Sequence, residues 1–339
     1  MTATLEWFGA TTYRLRTNGL TIFLDSWLDK PARMPRYLEL KDVHEADYIF
    51  ISHAHFDHLP GSDVIAKRTG AMIVANGEAI SVMREAGVPE SQLLPVGGGE
   101  RIPLFTKDVR DKATKGLVEL ELRPPGAPKS PHPSLAVAAV HVWPSLHTFM
   151  PENHPELMDT GVRYFGASTD FFCTLNITFG MKHGLLRLGD LIPREKIDED
   201  TQAFVDYVND TETNKFSHYD GGQLMFNILT EGKVFLWSAH LGGYEGVLRD
   251  LQPQPDVAII AVAGRANLNG RPFDGSAAEF VVKKAKWIGE PKKIIWCLHD
   301  KSLVKPFSVD TTAATEAIER ETKSRVQDLI PGKSYKLFG

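Results

Sequence analysis

The stretch ISHAHFDHLPG, residues 51–61, places three histidines and an aspartate (His53, His55, Asp57 and His58) within six residues. The run before it, Tyr48 to Ser52 (YIFIS), is short and continuously apolar, which predicts a strand buried on both faces. Residues 59–69 read as a helix behind it. His53 and His55 are two apart, so both project the same way from an extended backbone. Asp57 and His58 follow where the chain turns into the helix. Imidazole nitrogens and carboxylate oxygens are the ligands expected for zinc, manganese or iron at a hydrolytic centre. A lone histidine is usually a core or surface residue. Four such side chains at this spacing, between a strand and a helix, make a candidate metal centre.

Outward from this stretch, the chain alternates strands and helices. Leu5 to Arg16 reads as a strand, Asn18-Gly19 as a hairpin turn and Leu20 to Leu24 as its return strand. Residues 71–75 (AMIVA) form a further strand, and 78–86 a helix that ends at Gly87 and Pro89. The proline-rich 123–133 is a loop, and LAVAAVHVW (135–143) is a strand. Residues 148–169 look like loop. FFCTLNITFG and LLRLGD (171–180 and 185–190) look like a hairpin or two neighbouring strands, and 193–219 are polar and partly helical. Residues 223–229 and 233–240 form a hairpin about Glu231-Gly232; 256–264 and 292–300 are buried strands with an amphipathic helix at 276–288 between them. The pattern predicts an α/β protein with two sheets and outer helices. No linker splits it, so residues 1–339 read as one domain with insertions around 100–133 and 148–220.

Composition narrows the classes. The chain has 339 residues, enough to bury a large core without staples. A net charge of −5 gives no basic surface for nucleic acid. Two cysteines, Cys173 and Cys297, exclude a disulfide framework and fit a reducing compartment. The start lacks a basic segment followed by an apolar run, and no stretch is long and apolar enough for a membrane span. A cytoplasmic protein acting on a small molecule is the expectation, with a homo-oligomer left open. A G-x-S-x-G elbow and a P-loop are both absent, so serine-hydrolase and nucleotide-triphosphatase readings lack support.

The H-A-H-F-D-H of residues 53–58 resembles the HxHxDH motif of the metallo-β-lactamase superfamily. The opening WFGATTYRLRTNGLTIFLDSWL is similar to the first hairpin of its lactonase and phospholipase-D-like branch, with Asp25 at the position of a family aspartate. The resemblance implies an αββα sandwich with one or two metal ions at an edge between the sheets. It implies a further histidine after a middle strand, for which HVWPSLH offers His141 and His147; the family's placement favours His147, just past the strand. The next ligand is normally an aspartate that bridges two metals. LLRLGD supplies Asp190, whereas element order puts His240, of KVFLWSAH, where that aspartate stands. A carboxylate can bridge two cations, whereas an imidazole normally binds one, so His240 there would change the second site. The last family histidine falls on His299, with Asp300 beside it as a carboxylate able to orient an imidazole. By family pattern His53, His55 and His147 hold the first metal, zinc by expectation with manganese or iron as alternatives. Asp57, His58 and His299 hold the second, with His240 or Asp190 between or beside them.

The resemblance implies hydrolysis by water activated on the cation, with Asp57 orienting that water and carrying its proton. A small cyclic amide or ester, a lactam or lactone fused to an aromatic system, is the substrate expected. Trp7, Phe8, Tyr13 and Trp27, with aromatic residues of 147–158 and 161–172, are candidates to line its pocket. Phosphodiester hydrolysis is the alternative. A di-iron oxidoreductase is a third reading, although no flavodoxin-like segment is visible after residue 300. A non-catalytic relative is a fourth, and retention of the whole motif argues against it.

Overall fold

The computed structural model describes residues 2–150, 154–166 and 175–338. Two seven-stranded sheets carry the fold. The first runs, from edge to edge, Ser334–Lys336, Thr4–Trp7, Tyr13–Thr17, Leu20–Leu24, Tyr48–Phe50, Met72–Ala75 and Leu93–Pro95. The second runs Arg325–Val326, Lys293–Cys297, Val257–Ala261, Lys233–Ser238, Leu224–Thr230, Ala138–Pro144 and Arg101–Leu104. Each sheet is antiparallel in one half and parallel in the other.

Alternation along each strand assigns its two faces. Tyr48 and Phe50 point between the sheets, where they meet Leu15, Leu24, Phe226, Trp237 and Ile259 in one buried core. Ile49 and Ile51 point outward, under the helices Ser62–Thr69 and Gly77–Glu85. On the far side, Ala258, Ile260, Ile294 and Trp296 pack under the helices Ala277–Trp287 and Thr312–Glu321. The layers are therefore helix, sheet, sheet, helix, as the resemblance implies. Strands covered on both faces must be apolar throughout, which is why YIFIS shows no alternation in the sequence.

Both hairpin turns read from the sequence are formed. Asn18 and Gly19 have φ of 46° and 79°, and Glu231 and Gly232 have 53° and 70°, so both pairs take the left-handed turn that matches strand twist. Two expectations are corrected. Leu5 to Arg16 is two antiparallel strands, not one: the chain reverses at Phe8–Thr12, where Gly9 has φ 93° and Phe8 N–H donates to the Thr12 carbonyl at 2.9 Å. Residues 175–180 and 185–190, expected as strand, lie in the helical segments Leu175–His183, Leu185–Arg187 and Leu188–Leu191; the remaining part of that expectation, 171–174, lies outside the described residues. Met181, Leu185 and Leu188 recur at helical spacing and pack on Trp27, Phe56 and Phe204, so a tertiary apolar face outweighed local strand propensity. The polar segment contains the helix Glu199–Asn209, whose Phe204, Tyr207 and Val208 enter the same cluster. No helix of the described residues is long and apolar enough to cross a membrane.

Candidate metal centre

The residues of interest gather where strands of both sheets end. Asp25 follows Leu20–Leu24, the HAHFDH segment follows Tyr48–Phe50, His147 follows Ala138–Pro144, and His240 follows Lys233–Ser238. Leaving its strand, the motif curls tightly: the amides of His58 and Leu59 both donate to the His55 carbonyl, at 3.2 and 3.1 Å. Gly61 then starts the helix with φ 94°, close against the Ser26 carbonyl, where a Cβ would lie 2.9 Å from that oxygen. The Ala54 amide and carbonyl pair with Asp220 and Ser217, which ties the loop down on its other side.

Five imidazoles converge. Ring centroids lie 4.5 Å apart for His53 and His55, 4.0 Å for His53 and His58, 5.0 Å for His55 and His147, 5.2 Å for His58 and His240, and 3.9 Å for His147 and His240. Two triads, His53/His55/His147 and His53/His58/His240, each bring ligand atoms within 4.8 Å of one another. His147 Nδ1 faces the Thr148 carbonyl at 2.7 Å; a carbonyl only accepts, so Nδ1 carries the proton and Nε2 keeps its lone pair for the cluster. His58 Nδ1 lies 2.6 Å from Asp25 Oδ2, so the same logic leaves Nε2 facing inward. Asp57 Oδ2 is 3.4 Å from that Nε2.

Asp25 is fully buried behind the cluster. It accepts from Thr11 Oγ1 at 2.6 Å, from the Ser52 amide at 2.9 Å and from Ser52 Oγ at 3.0 Å, besides His58. This is the arrangement in which a carboxylate fixes the tautomer and ring plane of a ligand histidine.

The electrostatics favour neutral ligands over most of the cluster. Burial, reinforced by the neighbouring imidazoles, pushes His53 and His240 well below the usual histidine value. Burial and His147 do the same to His55, and burial lowers His147. His58 goes the other way: burial opposes its charge, but Asp57 and Asp25 on either side raise it to about 10. Burial likewise opposes charge on Asp57, and the adjacent His58 outweighs it, holding the carboxyl at about 2. Counting protein charges alone, a proton therefore sits where a cation would do the same electrostatic work. The decisive test of fit is the set of buried nitrogens in the cluster that make no hydrogen bond: among the described residues, His55 Nε2, His58 Nε2 and both ring nitrogens of His240. Unpartnered buried polar atoms are costly, and borderline divalent cations that favour imidazole would satisfy these.

The remaining expected residues lie elsewhere. Asp190 is on the exposed helix Leu188–Leu191 in an ion pair with Arg187 at 3.1 Å, and it joins neither triad. His141 points out from its strand to Arg101, at 2.6 Å. His299 stacks on Trp7 with centroids 4.8 Å apart and is in neither triad. Asp300 Oδ1 accepts from the Ala10 amide at 2.8 Å, not from an imidazole. Trp7, Phe8, Tyr13 and Trp27, expected to line a pocket, are buried core side chains, because the strands and loop that carry them face the interior. Residues 151–153 and 167–174, part of the other aromatic stretches, lie outside the described residues.

Four residues of the site escaped the sequence reading. Thr11 and Ser52 brace Asp25 and His58. Asn267 donates from Nδ2 to the His147 carbonyl at 2.8 Å and from its amide to the Leu241 carbonyl at 3.0 Å. Lys284, fully buried on the helix Ala277–Trp287, reaches the turn behind His240, and burial pushes its ammonium down to about 7. Lys284 was findable: Val281, Lys284, Ala285 and Ile288 share one helical face, so a lysine stands on an apolar stripe.

Comparison with known proteins agrees with this geometry. A model of the beta-lactamase superfamily domain matches residues 21–134. A UPF0173 metal-dependent hydrolase of Thermodesulfovibrio yellowstonii is 34% identical over 133 residues, which is 37% of this chain and 49% of that protein. One from Pyrobaculum islandicum is 35% identical over 100 residues, 30% of this chain and 44% of its own. The chain thus spans about half the length of the curated relatives it matches. Among solved structures, Igni18, a metallo hydrolase from Ignicoccus hospitalis, aligns with a TM-score of 0.55 at 15% identity over 99% of this chain and 98% of its own. CmlA, a diiron β-hydroxylase from Streptomyces venezuelae, aligns with 0.51 at 11% identity over 99% of this chain and 54% of its own.

Proposed function

We propose that the chain is a member of the metallo-β-lactamase superfamily and a metal-dependent hydrolase with a two-cation centre; the family model over residues 21–134, the metal-dependent hydrolase relatives and the shared fold support this reading. The observation that carries this reading is the convergence of five imidazoles in which His55 Nε2, His58 Nε2 and both ring nitrogens of His240 are buried and make no hydrogen bond. His53, His55 and His147 would hold one cation; His58 and His240, with Asp57 alongside, would hold the other. A divalent cation bound there supplies Lewis acidity that makes water nucleophilic at neutral pH.

The chain's own groups do the rest. Asp25, Thr11 and Ser52 hold His58 in one tautomer, and the Thr148 carbonyl does the same for His147. The Asp57 carboxylate, 25% exposed, stands at the open side of the cluster, where it can take a proton from attacking water and return it to the leaving group. His240, an imidazole where the family pattern has a bridging carboxylate, leaves the centre with one anion fewer. A more positive centre attracts anionic groups, phosphodiesters included, so the substrate class proposed, a small cyclic amide or ester such as a lactam or lactone, has to be separated from phosphodiesters by assay. Zinc suits the nitrogen-rich donor set; iron is the alternative, and the diiron neighbour of the same fold supports testing it.

Metal analysis of the purified protein, followed by turnover of a lactone and lactam panel against bis(p-nitrophenyl) phosphate, tests the reading. Close to two equivalents of zinc and chelator-sensitive ring opening are expected. A protein that takes up no metal on reconstitution refutes it; preferential phosphodiester cleavage replaces the substrate class.

A further inference from the structure

We propose that Lys284 is a positioning residue for His240, clamping the turn that aims its imidazole into the second cation site. The proposal rests on the reading of His240 as a ligand. Lys284 is 0% exposed. Its Nζ donates to Ser238 Oγ at 2.8 Å, to the Gly242 carbonyl at 3.1 Å and to the His240 carbonyl at 3.3 Å. Those three acceptors lie on both sides of His240 and on its own backbone, so one ammonium gathers the whole turn from behind. No carboxylate pairs with Lys284 among the described residues. A buried ammonium without a counter-ion is costly, and a methionine of similar length would fill the same space without that cost. Core stability is therefore a poor reason for a lysine here, whereas donors converging on three oxygens are something only it supplies at this position.

The front of the same turn is held independently. The Asn267 amide donates to the Leu241 carbonyl, and its side chain to the His147 carbonyl. Gly242 packs so tightly on the His147-bearing loop that a Cβ would lie 2.2 Å from the Leu146 carbonyl. The turn is thus fixed to the His147 loop in front and to Lys284 behind. Its backbone has two supports, and the side chain between them, His240, makes no hydrogen bond of its own from either ring nitrogen. Apart from its ring contacts with His147, His53 and His58, the ring is oriented by the backbone from which it projects.

The test is a cycle of Lys284→Met, His240→Ala and the double variant, each stripped of metal and titrated with zinc against a chromophoric competitor, with circular dichroism as the check on folding. In the wild type the second equivalent should weaken about 10–100-fold on Lys284→Met, the usual effect of removing a support behind a ligand. The first equivalent should hold, and Lys284→Met should add nothing in the His240→Ala background. Ser238→Ala, which removes one acceptor and leaves the lysine, should weaken the second equivalent in the same sense but less, and carries the test if Lys284→Met does not fold. Loss of the second equivalent in His240→Ala with wild-type binding in Lys284→Met or Ser238→Ala overturns the proposal and leaves the ligand reading intact. Equal weakening of both equivalents makes Lys284 a general stability residue and also overturns it. Unchanged binding in His240→Ala removes the ligand reading and the proposal together.

Discussion

Asp25→Asn separates charge and tautomer control from shape. The substitution is isosteric, and Asp25 has φ 47°, a left-handed conformation that asparagine tolerates at least as well as aspartate. Backbone strain is therefore not introduced. The change lies in the four hydrogen bonds that the carboxylate accepts, one on Oδ1 from the Ser52 amide and three on Oδ2 from Thr11, Ser52 and His58. With the amide oxygen at the Oδ1 position, the NH2 group meets Thr11, Ser52 and His58. The two hydroxyls can rotate to accept, but His58 can accept at Nδ1 only by moving its proton to Nε2, the nitrogen that faces Asp57 and the cluster. With the amide flipped, NH2 opposes the Ser52 backbone N–H, which cannot rotate. The first arrangement removes the charge-assisted hydrogen bond to His58, and the second keeps only a neutral one and leaves the Ser52 N–H unpaired, so either way His58 loses charge-assisted support worth about 1.5–3 kcal/mol. At about 1.4 kcal/mol per tenfold, that is roughly 10–150-fold weaker binding of the cation on His58. Zinc titration of the stripped variant against a chromophoric chelator reads it directly, with the His53/His55/His147 equivalent as internal control. A folded Asp25→Asn protein that binds both equivalents as tightly as wild type would refute the role given to Asp25.

Other outcomes follow from the same geometry. Asp190→Ala should leave metal content and thermal stability unchanged, because Asp190 is exposed and paired only with Arg187; metal analysis checks it. Gly242→Ala should cost about 1–3 kcal/mol in urea unfolding, as overpacking does, because its Cβ would meet the Leu146 carbonyl at 2.2 Å. Lys284 should make metal-free stability rise with pH. Its folded value is lowered to about 7 from 10.5, so between those limits the unfolded chain binds more protons and folding gains as pH rises. Burial pushes the nearby Cys297 thiol up, which acts in the opposite sense only above the ordinary thiol range. His58, raised to about 10 by Asp57 and Asp25, acts in the opposite sense over the same range, so urea unfolding at pH 7 and 8.5 should show wild type gaining stability relative to Lys284→Met.

The sequence was most legible where local chemistry and tertiary demand coincide. YIFIS had to be apolar to lie in a parallel strand between two layers, and Asn18-Gly19 and Glu231-Gly232 had to take positive φ, so their letters declare their structure. His53, His55, Asp57 and His58 were legible for the same reason, being contiguous. His147 and His240 are legible only through the family pattern, since each is one histidine after one strand. Thr11 was hidden because residues 5–16 read as a single strand, and the reversal at Gly9-Ala10 that delivers its hydroxyl to Asp25 is set by backbone angles rather than by a familiar turn pair. Residues 175–180 and 185–190 read as strand because their apolar letters suit either period, and the partner that decides, the Trp27–Phe56–Phe204 cluster, is distant in sequence.

The candidate ligands are divided between the sheets: His53, His55, Asp57 and His58 leave the first, His147 and His240 leave the second. Any cation held by both groups is a rivet across the interface between the two layers, added to side-chain packing and to the main-chain hydrogen bonds that cross at that edge, such as Leu224 N–H to the Ser52 carbonyl. Binding to the closed form only would then add to global stability by mass action, about 2.7 kcal/mol at a free metal concentration a hundred times Kd. The supply of metal would set how often that seam opens, so that starvation for metal is felt as a protein more easily cut by proteases.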